Sequence, residues 1–100
     1  MKYLTVNADF QGTGLKDDFE GPIKPESLNL PEALIQRISK WLSDYQPIIR
    51  GGAEGRQERQ REIKELDERG LEIAREVRDC LGADAKVLYY SEGTFSRMLP

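Results

Sequence analysis

Residues 56–82 read RQERQREIKELDERGLEIAREVRDCLG, and this run decides how the chain must fold. Ile63, Leu66, Ile73, Ala74, Val77, Cys80 and Leu81 recur at steps of three and four, with Gly70 in the same register, so the run predicts a long helix over 56–82 with one apolar face. Glu58, Glu62, Glu65, Glu68, Glu72, Glu76 and Asp79 keep a period of their own, at about 100° per residue, on a flank beside the apolar stripe. Gly82 is suited to end the helix. The charged residues before Ile63 bury little, so the first turn or two are expected to fray. Gly70 in a helix interior costs up to about 1 kcal/mol relative to alanine, which points to the close approach of another backbone. Cys80 lies in the apolar register and reads as a buried core thiol. As the one cysteine of the chain it excludes an internal disulfide.

Working outward from this helix, Leu34, Ile35, Ile38, Trp41, Leu42 and Tyr45 form a second helical stripe that Pro31 opens, giving a first helix over 31–46. Pro47 is expected to stop it, and Ile48 to Gly55 reads as a glycine-rich reversal that makes the two helices antiparallel. Lys2 to Asn7 and Lys86 to Tyr90 carry β-forming residues and read as strands, the first with Leu4 and Val6 toward the core. Residues 8–29 show neither period. They are expected to form a long ordered loop pinned by Phe10, Leu15, Phe19 and Ile23.

The fold class that follows is α/β (α+β), a single domain over 1–100 of βααβ order with a minimal sheet packed on two antiparallel helices. The helical crossover would make the two strands parallel. A two-stranded parallel sheet is thin, and a further strand is expected from Ile23 to Leu30, from Phe95 to Leu99, or from another chain.

Fifteen lysines and arginines against eighteen aspartates and glutamates leave a net charge of −3. That balance offers no footprint for nucleic acid or an anionic membrane and suits a basic protein partner instead. The N-terminus has no apolar leader and no run approaches the length of a membrane span, so a cytoplasmic protein is expected. The chain has no histidine, which removes the commonest general base and metal ligand, and no catalytic constellation takes its place. Gln11 to Leu15 follows a strand as a dinucleotide loop would, but it lacks the third glycine and is followed by Lys16-Asp17-Asp18, which puts acid where phosphate would lie. It reads as a turn. Asp9, Asp17, Asp18 and Glu20 crowd one loop, yet their spacing fits no calcium loop, so neither metal nor cofactor is expected.

The carboxylates of the long helix and of this loop are therefore the candidate partner-binding residues. The like-charged pairs Glu58 with Glu62, Glu68 with Glu72 and Glu72 with Glu76 each cost a few tenths of a kcal/mol, so helix stability alone gives no reason for the stripe. A solvated face that keeps the protein soluble is the simpler reading of the pattern by itself.

Met1 to Phe10 with Gly12-Thr13-Gly14-Leu15, Glu65 to Ala74, and Tyr89-Tyr90-Ser91-Glu92 resemble stretches of a group of small bacterial proteins, and the likeness spans nearly the whole chain. In size, acidity and lack of catalytic residues this group is similar to immunity proteins of contact-dependent growth inhibition and other polymorphic toxin systems. The resemblance implies a non-catalytic protein that binds and neutralises a cognate toxin domain, and the acidic charge balance adds the expectation that this domain presents a basic active-site surface. The resemblance implies no particular binding residue. The other readings are a small regulatory or scaffold protein acting through an open sheet edge or with a second copy of itself, and an acid-dependent enzyme or metal binder built on Asp9, Asp17, Asp18 and Glu20.

Overall fold

The computed structural model describes residues 1–100 and builds five strands and three α-helices in the order β1 (Lys2–Asn7), β2 (Leu15–Asp17), β3 (Gly21–Pro22), α1 (Glu32–Arg50), α2 (Gly52–Glu58), α3 (Gln60–Leu81), β4 (Ala85–Ser91) and β5 (Ser96–Met98). The strands form one sheet of order β3-β2-β1-β4-β5. As expected from the helical crossover, β1 and β4 pair in parallel at its centre, Leu4 opposite Val87 and Val6 opposite Tyr89. The outer pairings are antiparallel. Leu4, Val6, Val87 and Tyr89 point to one face and join the core with Ile38, Trp41, Ile73 and Val77 of the helices. Tyr3 and Lys86, of opposite parity, lie exposed on the other face. The fold is thus a two-layer α/β arrangement with helices on one side of a mixed sheet.

Several boundaries differ from the sequence reading. The sheet grows from residues 15–17 and 21–22 inside the expected loop, while 25–28 form a 3-10 turn and not a strand. On the opposite edge, Ser96–Met98 supplies the strand expected from the C-terminal segment. Leu15 is buried and Ile23 packs against the core, but Phe10 and Phe19 are exposed and pin nothing there. Phe19 instead meets the ring of exposed Tyr3 edge-on.

Pro47 does not stop α1. It lies on the exposed side, where the missing N–H and the ring are least damaging, and the helix runs on to Arg50. A proline inside a helix costs about 3 kcal/mol. Burial of Ile48, worth about 1.5–3 kcal/mol, with the partial burial of Ile49, offsets most of that cost. The return run is helical as well, as α2, but it breaks from α3 at Arg59, so the long helix is two helices and not one over 56–82.

The α1–α3 seam is held by Trp41, which is fully buried and donates its indole N–H to the Leu66 carbonyl at 2.9 Å. Gly70 does meet a close neighbour, although it is a side chain and not a backbone. A Cβ at Gly70 would lie 2.6 Å from Tyr89 Cζ and 2.8 Å from its hydroxyl oxygen. Tyr89 is itself fully buried and hydrogen-bonded, so it cannot step aside cheaply. Gly70→Ala should therefore lower stability by about 1–3 kcal/mol despite its better helix propensity, read as a lower urea midpoint. A midpoint equal to or above wild type would show that the ring yields.

Candidate partner-binding surface

Glu58 ends α2 and the other carboxylates of the stripe lie on α3, and their surroundings divide them. Glu58, Glu62, Glu65, Glu68 and Glu72 are exposed. None of them takes part in an ion pair, the four pairs being Arg37–Glu76, Lys40–Asp44, Arg69–Asp44 and Arg78–Asp79. Glu76 is half-buried with Arg37 of α1 at 2.5 Å, and Asp79 is exposed beside Arg78 at 3.4 Å. Arg69 reaches Asp44 across the seam at 3.0 Å. Partial burial pulls the Asp44 pKa up, but hydrogen bonds and attraction from Arg69 and Lys40 outweigh it and hold the carboxyl below its ordinary value. The flank is thus unpaired over its first four turns and neutralised at its C-terminal end. Arg61, Lys64 and Arg75 are exposed on the same helix, so the acid is a stripe and not a uniform field.

The loop carboxylates have structural tasks. Asp17 Oδ1 accepts the backbone N–H groups of Phe19 and Glu20 at 2.8 and 3.1 Å, closing the β2–β3 turn. Asp18 accepts the Thr5 hydroxyl at 2.7 Å, and Asp9 accepts the Phe10 N–H at 2.9 Å. Glu20 is exposed. No three acidic or sulfur side chains gather closely enough to hold a metal ion. Cys80 is exposed, contrary to the core reading. At 100° per residue it lies about 80° from the centre of the buried face, toward the acidic flank, in the last turn of the helix.

Sequence periodicity passed over the most constrained polar group in the molecule. Asp67 is 94% buried, four residues after Ile63 and three before Gly70, inside the apolar register. Its Oδ1 accepts the Tyr45 and Tyr89 hydroxyls at 2.8 and 2.6 Å, and its Oδ2 accepts the Ser91 hydroxyl at 2.7 Å. Those hydroxyls in turn organise the turn between β4 and β5. Tyr45 Oη accepts the Gly93 N–H at 2.9 Å and Ser91 Oγ the Thr94 N–H at 3.0 Å, while the Ser91 carbonyl accepts the Phe95 N–H at 2.8 Å. The available signal was an aspartate at a core position facing two tyrosines on predicted elements.

Phe95 stands at the tip of this turn with φ of 56°, a left-handed conformation that costs a non-glycine residue about 1–2 kcal/mol, and it is 61% exposed. Arg56 of α2 lies over its ring, 4.8 Å from the centroid, and donates its Nε–H to the Glu92 carbonyl at 3.0 Å. Helix α2 buries no side chain of its own. Between α2, the first half of α3 and this turn runs an open groove of about 830 Å³, with Ile63, Leu71, Phe95 and Met98 in its walls, Asp67 and Glu68 along α3, and Glu54 on α2.

Burial first, and then the Asp67 carboxylate, disfavour ionisation of both tyrosines: Tyr45 is pushed up from 10.0 to about 12, and Tyr89 further in the same direction. The folded protein therefore holds these protons more tightly than the unfolded chain. That contribution is complete below about pH 10 and is lost as the pH rises through 12. In a spectrophotometric titration part of the tyrosinate signal should appear only together with unfolding above pH 10, and Tyr45→Phe with Tyr89→Phe should remove that delayed part. Complete ionisation with the fold intact would contradict the network.

Compared with known proteins, residues 2–92 match the family model described as Serratia CdiI immunity protein-like. No curated protein matches the chain.

Proposed function

The chain belongs to the Serratia CdiI immunity protein-like family, and from this we propose that it binds a cognate toxin domain in the cytoplasm and neutralises it by covering a basic active-site surface, with no catalysis of its own. The observation that carries the mechanism is the row Glu58, Glu62, Glu65, Glu68 and Glu72, exposed and outside every ion pair. Such a row steers a cationic partner toward the helix and competes with an anionic substrate for the same cleft, which raises the association rate and sets specificity more than raw affinity. The loop carboxylates are less suited to this task, because Asp17 and Asp18 already hold the β2–β3 turn and Thr5. Glu76 is likewise engaged by Arg37.

Sheet-edge pairing is the weaker alternative. One edge strand is Gly21–Pro22, whose proline has no N–H to give, and the other spans three residues, Ser96–Met98. Short edges of this kind make poor templates for another chain.

Glu62, Glu65 and Glu72 make no contact that the fold needs, so reversing all three to lysine should move stability by no more than about 0.5 kcal/mol each. Cells that produce the wild-type protein should survive its cognate toxin, and the reversed protein should protect less. Its association rate should fall by about tenfold or more at low salt and lose most of its ionic-strength dependence, since steering is screened beyond about 8 Å at physiological salt. Full protection by a folded reversed protein would reduce the stripe to a solvated face.

A further inference from the structure

We propose that the groove between α2, α3 and the β4–β5 turn is the seat of an arginine side chain from the partner's basic surface, stacked on Phe95 and drawn in by Glu54, Asp67 and Glu68. The proposal rests on the toxin-binding reading and gives it a contact point that the acidic stripe alone lacks. Three observations carry it. The carboxylates of the groove are outside every ion pair: Asp67 is held by neutral hydroxyls only, and neither Glu54 nor Glu68 is paired with a cation. Two cations line the groove, Lys64 and Arg56, the latter donating to the Glu92 carbonyl and lying on the Phe95 ring, so the three carboxylates leave the groove with an excess of one negative charge.

The second observation is that the protein already seats a guanidinium here. Arg56 lies 4.8 Å from the centroid of Phe95, so this ring accepts a planar cation on one face, and its 61% exposure leaves area for another. Third, the ring is held in place at a cost in backbone strain, φ 56°, by a turn whose Gly93, Thr94 and Phe95 N–H groups are all satisfied. A rigid exposed aromatic beside carboxylates suits arginine better than lysine, because guanidinium stacks flat and donates as a fork, while ammonium remains a hydrated point charge. Glu68 also belongs to the acidic stripe, so a partner steered to α3 arrives beside the groove.

The test titrates the ¹⁵N-labelled full chain with acetyl-Arg-Leu-Arg-amide and, at equal charge, with acetyl-Lys-Leu-Lys-amide. The arginine peptide should shift the amides of Leu71, Gly93, Thr94 and Phe95 and saturate at least about threefold earlier than the lysine peptide. Phe95→Ala should abolish this response. So should the double variant Glu54→Lys with Glu68→Lys, whose altered side chains make no hydrogen bond or ion pair and leave the fold intact. The same double variant should weaken binding of the cognate toxin domain about tenfold or more, as expected for loss of a central anchor. Equal response to both peptides, shifts confined to Glu58–Glu65, or unchanged toxin affinity in the double variant would overturn the arginine seat while leaving the immunity reading in place. Failure of the wild-type chain to bind that toxin would overturn the immunity reading, and the peptides would still decide whether the groove takes arginine.

Discussion

A carboxylate without a cation, enclosed by three hydroxyls, governs this architecture. Asp67 can only accept hydrogen bonds, so the Tyr45, Tyr89 and Ser91 hydroxyls must all turn their protons inward. Their lone pairs then face outward, and the Tyr45 and Ser91 oxygens find the backbone N–H groups of Gly93 and Thr94. One acceptor in α3 thereby fixes the direction of the hydrogen bonds in a network that joins two helices, a central strand and a turn. The arrangement is demanding because an unpaired buried polar group costs about 1–3 kcal/mol, and removing any member would leave others unpaired.

The same constraint explains two features that look unrelated. Gly70 has to lack a side chain because Tyr89 passes over it on the way to Asp67, and Gly93 has to lack one because Tyr45 Oη and Ile63 occupy the space its Cβ would need. Packing and polar satisfaction are here one problem, solved by small residues at the crossings and aromatic residues that reach over them. Trp41 extends the logic to the seam, where its indole contacts the rings of Tyr45 and Tyr89 and bonds the Leu66 carbonyl one residue before Asp67.

What the sequence disclosed depended on length. The parallel β1–β4 centre, the inward Leu4 and Val6, the start of α1 and the buried register of α3 were all legible, because each spans enough residues to express a period. Strands of three and two residues express none, so β2 and β3 vanished into an apparent loop. Pro47 was misjudged because local propensity speaks against a helix there and tertiary burial of Ile48 answers only in the fold. Cys80 was misjudged because register says which side of a helix a residue occupies but not whether a neighbour covers that side near its end. The acidic stripe was seen, but its division by ion pairs was not, since Arg37 and Asp44 come from a different helix. The groove is assembled from α2, α3 and a turn, and no single segment announces it.

Helix α3 writes two messages in one string of residues. Its inward letters, Ile63, Leu66, Asp67, Gly70, Ile73 and Val77, are tied to the sheet and to α1, while Glu62, Glu65 and Glu72 stand among them in the chain yet touch nothing the fold requires. Neighbours in sequence are thus strangers in space. The outer letters can change at little cost to the fold one codon away from residues where most changes are expensive. A scaffold built this way separates what it presents to the outside from how it holds itself together, so the first can be rewritten without disturbing the second.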